Sequence, residues 1–102
     1  MVEFAPKVRQ QVHALCARYG VARLELTGSA ARDDFDPATS DVDFLVEFLP
    51  NAKVSAFEFV ELADALQKAL GRRVDLIELS AVRNPILREA FARDRVAFFA
   101  AA

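Results

Sequence analysis

Apolar and polar residues change their spacing several times along this chain, and each change marks an element. Val8, Val12, Leu15, Cys16 and Tyr19 recur at helical intervals between Pro6 and Tyr19. Pro6 is tolerated in a first helical turn and Gly20 is placed to stop it, so an amphipathic helix is predicted there. From Val21 to Thr27 the pattern alternates, with Ala22, Leu24 and Leu26 on one side and Arg23 and Glu25 on the other, which predicts a strand. Gly28 breaks it, and a short helical turn follows through Ala30, Ala31 and Arg32.

Alternation returns at Asp41 to Phe48, where Val42, Phe44, Val46 and Phe48 interleave with Asp41, Asp43, Leu45 and Glu47. This is a second strand with one buried face. Pro50-Asn51 marks a turn. Ser55-x-x-Glu58 is a capping box opening a helix whose stripe is Phe59, Leu62, Ala63, Leu66, Ala69 and Leu70, and Gly71 ends it. Arg72 to Ile77 reads as a third strand. A strand, a helix of this length and another strand make a right-handed crossover, so the second and third strands should be parallel neighbours. Asn84-Pro85 then opens a helix over Pro85 to Ala92 with Ile86, Leu87, Ala90 and Phe91 apolar, and Val96 to Phe99 is either a short strand or a helical tail. The elements specify an α/β (α+β) fold: a small mixed sheet of three or four strands with helices packed mainly on one face.

Composition narrows this picture. The 102 residues suit one domain spanning 1–102. An apolar fraction of 54% with nine Phe fits a well-filled core and, equally, a face covered by a second chain, so a homo- or hetero-oligomer is compatible with it. A net charge of −2 lacks the footprint of a general nucleic-acid binder, and no direct nucleic-acid partner is expected. The single cysteine, Cys16, falls on the first helix's apolar stripe and is read as a buried, inert thiol. With no leader and no membrane-length apolar run, the chain is expected to be cytoplasmic, with no membrane partner. His13 lies one step off the helical stripe and reads as a solvated surface side chain.

The candidate chemistry is concentrated in two stretches. Asp41 and Asp43 share one side of a strand, roughly 6.5–7 Å apart at Cα, where they repel unless a hard cation sits between them. Counting from Val74 and Leu76, Asp75 falls on the same polar face of the neighbouring strand. Upstream, Gly28 permits close backbone approach, Ser29 offers a hydroxyl, and the N–H groups of the following turn attract anions. A phosphate cradle beside paired carboxylates points to a nucleoside triphosphate carried with Mg²⁺. The connector Asp33-Asp34-Phe35-Asp36-Pro37-Ala38-Thr39-Ser40 is too acidic to hold phosphate by itself. Arg32 is divided between a phosphate ligand and an ion pair with Glu25 or Asp36. Arg72, Arg73, Arg83 and Arg88 read as surface or helix-end charges.

Gly28-Ser29, Ala31-Arg32, Ser40-Asp41-x-Asp43-Phe44-Leu45-Val46 and Val74-Asp75-Leu76 resemble the minimal nucleotidyltransferase (MNT) domains of the DNA polymerase β-like superfamily, over nearly the whole chain. The resemblance implies transfer of AMP from ATP to a hydroxyl, with pyrophosphate leaving. It implies two Mg²⁺ ions on Asp41 and Asp43, with Asp75 completing the metal and catalytic set and helping to deprotonate the acceptor, while Gly28, Ser29 and Arg32 hold the β- and γ-phosphates. It further implies an antitoxin partnered with a HEPN-domain toxin and modifying it, commonly on tyrosine. The alternative is a weak or inactive MNT domain that neutralises its partner by binding alone. Small-molecule modification would need an additional substrate-binding domain.

Overall fold

The computed structural model describes residues 3–32, 36 and 40–101. In the acidic connector, Asp33, Asp34, Phe35, Pro37, Ala38 and Thr39 lie outside the described residues. Helix α1 spans Pro6–Arg18 and strand β1 Val21–Thr27. A four-residue 3₁₀ turn occupies Gly28–Ala31 before strand β2, Val42–Phe48. Helix α2, Ala56–Leu70, carries both halves of the Ser55/Glu58 capping box and stops at Gly71, whose φ of 68° is left-handed. Strand β3 is Val74–Glu78, helix α3 is Pro85–Arg93, and the last segment resolves as strand β4, Val96–Ala100. Replacing Ser55 by Ala removes an acceptor for the Glu58 N–H and should cost about 1 kcal/mol, read from urea unfolding.

The sheet order is β3-β2-β1-β4, with β1 antiparallel to both of its neighbours and β2 parallel to β3. The crossover through α2 therefore joins adjacent parallel strands, as the element lengths require. On the apolar face Phe44 pairs with Leu26 on one side and with Leu76 on the other. Val12 and Cys16 of α1 and Leu62 and Leu66 of α2 close over that face, and all four are fully buried with Phe44. Phe98 of β4 enters the same core, edge-on to Phe44 at 5.5 Å. Burial pushes the Cys16 thiol up to about 12, in keeping with an inert core cysteine.

His13 is exposed but not merely solvated. Its Nε2–H donates to the Phe98 carbonyl at 3.2 Å, and its ring meets Phe99 edge-on at 5.3 Å, tacking β4 to α1. Among the described residues no helix is long and apolar enough to cross a membrane.

Helix α3 departs from the others. Thr27 is paired with Asp43, so its side chain leaves the sheet on the polar face. Its hydroxyl donates to the Phe91 carbonyl at 2.7 Å, which puts α3 over the polar face rather than beside α1 and α2. The apolar positions of α3 do not form a buried stripe: Ile86 is 77% exposed and Leu87 49%, while Phe91 is half-buried.

Candidate active site

Parallel pairing of β2 with β3 brings the acids together. Asp43 and Asp75 are direct cross-strand partners, so both carboxyls stand on the polar face, at the end of the sheet next to the Gly28 turn. The Asp43 carboxyl is raised from 3.8 to about 6. Burial is the largest cause, followed by a hydrogen bond to the Asp75 carboxyl, the Asp75 charge and the Asp41 charge. A carboxylate in this position is short of positive charge.

Asp41 is near enough to raise Asp43 electrostatically, but it also faces the Arg73 guanidinium, with Nε 3.9 Å from Asp41 Oδ1. The sequence reading missed this pairing, although the register contained it. If Asp43 aligns with Asp75, two residues back Asp41 aligns with Arg73. Arg73 is 84% exposed, so the contact is a weak, screened one. Among the described residues, no three His, Cys, Asp or Glu side chains are already gathered as a metal-holding group. The acids stand instead as a tight pair with Asp41 alongside.

Gly28 forms the opposite wall. Its φ is +63°, and a Cβ there would come within 2.7 Å of Asp43 Oδ2. The turn thus needs glycine twice, for its left-handed backbone and for room beside the carboxylate. Ser29 is half-exposed at the same turn, and its carbonyl accepts the Arg32 N–H at 3.1 Å. Arg32 Nη1 donates to Asp94 Oδ2 at 3.1 Å, a partner that the sequence reading did not offer, joining the turn to the end of α3. Arg88 Nη1 donates to the Leu79 and Val82 carbonyls at 2.9 Å each. With Thr27–Phe91 and the Arg95–Glu25 ion pair, these contacts moor α3 beside the acids. Thr27 was read only as the end of β1, and Asp94 and Arg95 were not singled out from sequence, because their roles depend on long-range pairs that local spacing does not encode.

The all-oxygen donor set, the raised Asp43 and the side-chain-free space at Gly28 fit a hard divalent cation carried with phosphate. A sequence profile described as "Nucleotidyltransferase domain" matches residues 8–98. The chain belongs to this nucleotidyltransferase domain family. The domain is 35% identical over 89 residues to a Methanocaldococcus jannaschii protein provisionally named a protein adenylyltransferase, covering 87% of this chain and 88% of that one. It is 37% identical over 73 residues to the Thermococcus cleftensis protein adenylyltransferase MntA, covering 70% and 69%. A solved structure described as a minimal nucleotidyltransferase superposes with a TM-score of 0.69 at 35% identity, covering 86% of each chain. The nucleotidyltransferase fold also matches, at TM-score 0.66 and 18% identity over 93% of this chain and 71% of the other, a structure of a tri-AMPylated Shewanella oneidensis HEPN toxin in complex with MNT antitoxin.

Proposed function

We propose that this nucleotidyltransferase transfers AMP from ATP to a hydroxyl of a HEPN-type toxin, with tyrosine as the acceptor, and so acts as an antitoxin. The observation that carries the reading is the Asp43–Asp75 pair beside Gly28. The relatives named protein adenylyltransferase supply the reaction class, and the toxin–antitoxin complexes of the same fold supply the partner class.

Asp41 and Asp43 would hold two Mg²⁺ ions, with Asp75 completing the set. Bound there, the ions would lower the pKa of the attacking oxygen and offset charge on the leaving group. Gly28 and Ser29 border the position of the triphosphate. Arg32 would have to loosen its bond to Asp94 to reach a phosphate. In the transfer, the acceptor oxygen bonds to the α-phosphorus, the bond from that phosphorus to the bridging oxygen breaks, and pyrophosphate leaves. The hydroxyl proton passes to the Asp75 carboxylate.

The test incubates the chain with α-labelled ATP, Mg²⁺ and the protein encoded by the adjacent reading frame, which this reading expects to be a HEPN-type toxin. Label should appear on the toxin, and Asp41→Ala should reduce its rate by about 10²–10³-fold. Equal labelling by Asp41→Ala removes the proposal. Neutralisation by binding alone draws on a different observation, the exposure of Phe57 at 74% and Val60 at 65% on α2. That reading predicts that Asp41→Ala still silences the toxin.

A further inference from the structure

Among the described residues, strand β3 forms one border of the sheet, with β2 on its inner side only. The Val42 N–H donates to the Arg73 carbonyl at 3.0 Å, so in the parallel ladder Arg73, Asp75 and Ile77 turn their main-chain groups toward β2. Val74, Leu76 and Glu78 turn theirs outward. Gln67 Oε1 accepts the Val74 N–H at 3.1 Å, closing that end of the border. The outward groups of Leu76 and Glu78 lie beyond this closure. They border a groove of about 600 Å³ between the start of α2 and β3, walled by Phe59, Val60 and Val82. Among the described residues lining it, only Glu78 is charged.

We infer that this border and groove take an extended segment of the acceptor protein as a fifth strand, and that the pairing delivers the acceptor hydroxyl to Asp75. The inference rests on the transferase reading and specifies how its substrate docks. Residues opposite one another on adjacent strands share a face, with Cβ atoms about 5 Å apart. The segment residue opposite Asp75 therefore projects onto the acid face beside the Asp43–Asp75 pair. The next residue, opposite Leu76, projects to the other face and enters the apolar groove. The residue opposite Glu78 meets a carboxylate. Charge complementarity thus selects lysine or arginine at that place and rejects an acidic residue. The recognised pattern is hydroxyl, apolar, any, basic, in this order or its reverse, and it matches strand addition, where main-chain bonds give affinity and alternate side chains give specificity. With the hydroxyl so placed, its oxygen attacks the α-phosphorus, pyrophosphate departs and Asp75 takes the proton.

The test uses the whole chain and two synthetic peptides, Gly-Tyr-Val-Thr-Lys-Gly and Gly-Lys-Thr-Val-Tyr-Gly, at up to about 2 mM, an affinity range suited to short segments. Without nucleotide, amide hydrogen exchange at Leu76 and Glu78 should slow when one peptide is added, with Asp75 and Ile77 unchanged. The bound peptide N-methylated at the residue whose N–H meets the Leu76 carbonyl, threonine in the first (parallel) peptide and valine in the second (antiparallel) one, should give no slowing. Glu78→Lys should weaken the lysine peptide about 3- to 5-fold and strengthen a glutamate-for-lysine peptide. Absence of slowing with both peptides overturns the inference, and so does slowing that depends on protein concentration alone, which would mean that a second copy pairs there. AMP transfer to the peptide is followed in parallel. Transfer without protection of Leu76 and Glu78 removes the docking mode and leaves the transferase reading; protection without transfer keeps the docking mode and removes the chemistry.

Discussion

Asp43→Asn should abolish most AMP transfer, by about 10²–10³-fold, and at the same time make the metal-free protein more stable at neutral pH. The two effects share one cause. Folding raises the Asp43 carboxyl from 3.8 to about 6, so the native chain holds this proton more tightly than the unfolded one. That stabilisation is complete below pH 3.8, fades as pH climbs through 6 and is absent above it. At neutral pH the wild type instead carries an ionised carboxylate against Asp75 and Asp41, and asparagine does not. A shift of this size in a half-buried group, reduced for solvent screening, amounts to about 1 kcal/mol, or about 5 °C in Tm. Thermal melts of both proteins in chelator across pH 3.5–7.5 should superpose at the acid end and separate through pH 4–6. Adding Mg²⁺ with a non-hydrolysable ATP analogue should close the gap by stabilising the wild type alone. A gap that is the same at every pH would show that Asp43 is not under this electrostatic load.

The second large effect concerns Gly28. Gly28→Ala meets both a left-handed φ of +63° and a carboxylate oxygen 2.7 Å from the new methyl group. Backbone strain alone costs about 1–2 kcal/mol. Displacing the Asp43 carboxylate by a fraction of an ångström should lower transfer about 10- to 100-fold as well. Gly71→Ala is the control. Its φ is +68°, but nothing lies within 4 Å of the added Cβ. It should lose similar stability and keep full activity per folded molecule. If both variants lose activity alike, the space beside Asp43 is not what glycine protects.

Much of this architecture was legible in the linear pattern because the relevant interactions are local or periodic. Alternation in β2 and β3, together with a crossover helix of ordinary length, places Asp43 and Asp75 on one face of adjacent parallel strands, while their direct pairing is fixed by the register of the folded sheet; the Ser55/Glu58 box and Gly71 bracket α2 by contacts within a few residues. The placement of α3 was not legible. Its apolar residues are spaced as if to be buried, yet its attachment depends on Thr27, Arg32, Arg88 and Arg95 bonding to groups elsewhere in the chain. The Asp94 contact of Arg32 was missed for the same reason: Asp94 lies 62 residues away. The ambiguous Val96 to Phe99 segment became a strand because β1 had an open side to pair with and Phe98 completes the core against Phe44.

Cys16 gives the protein an internal clock. Its sulfur is sealed under α1, and a thiol held up to about 12 has almost no nucleophilic thiolate at neutral pH. Alkylating reagents must therefore wait for that helix to lift, and the rate at which they consume the sulfur counts those excursions in the unmodified molecule, without any added dye or label.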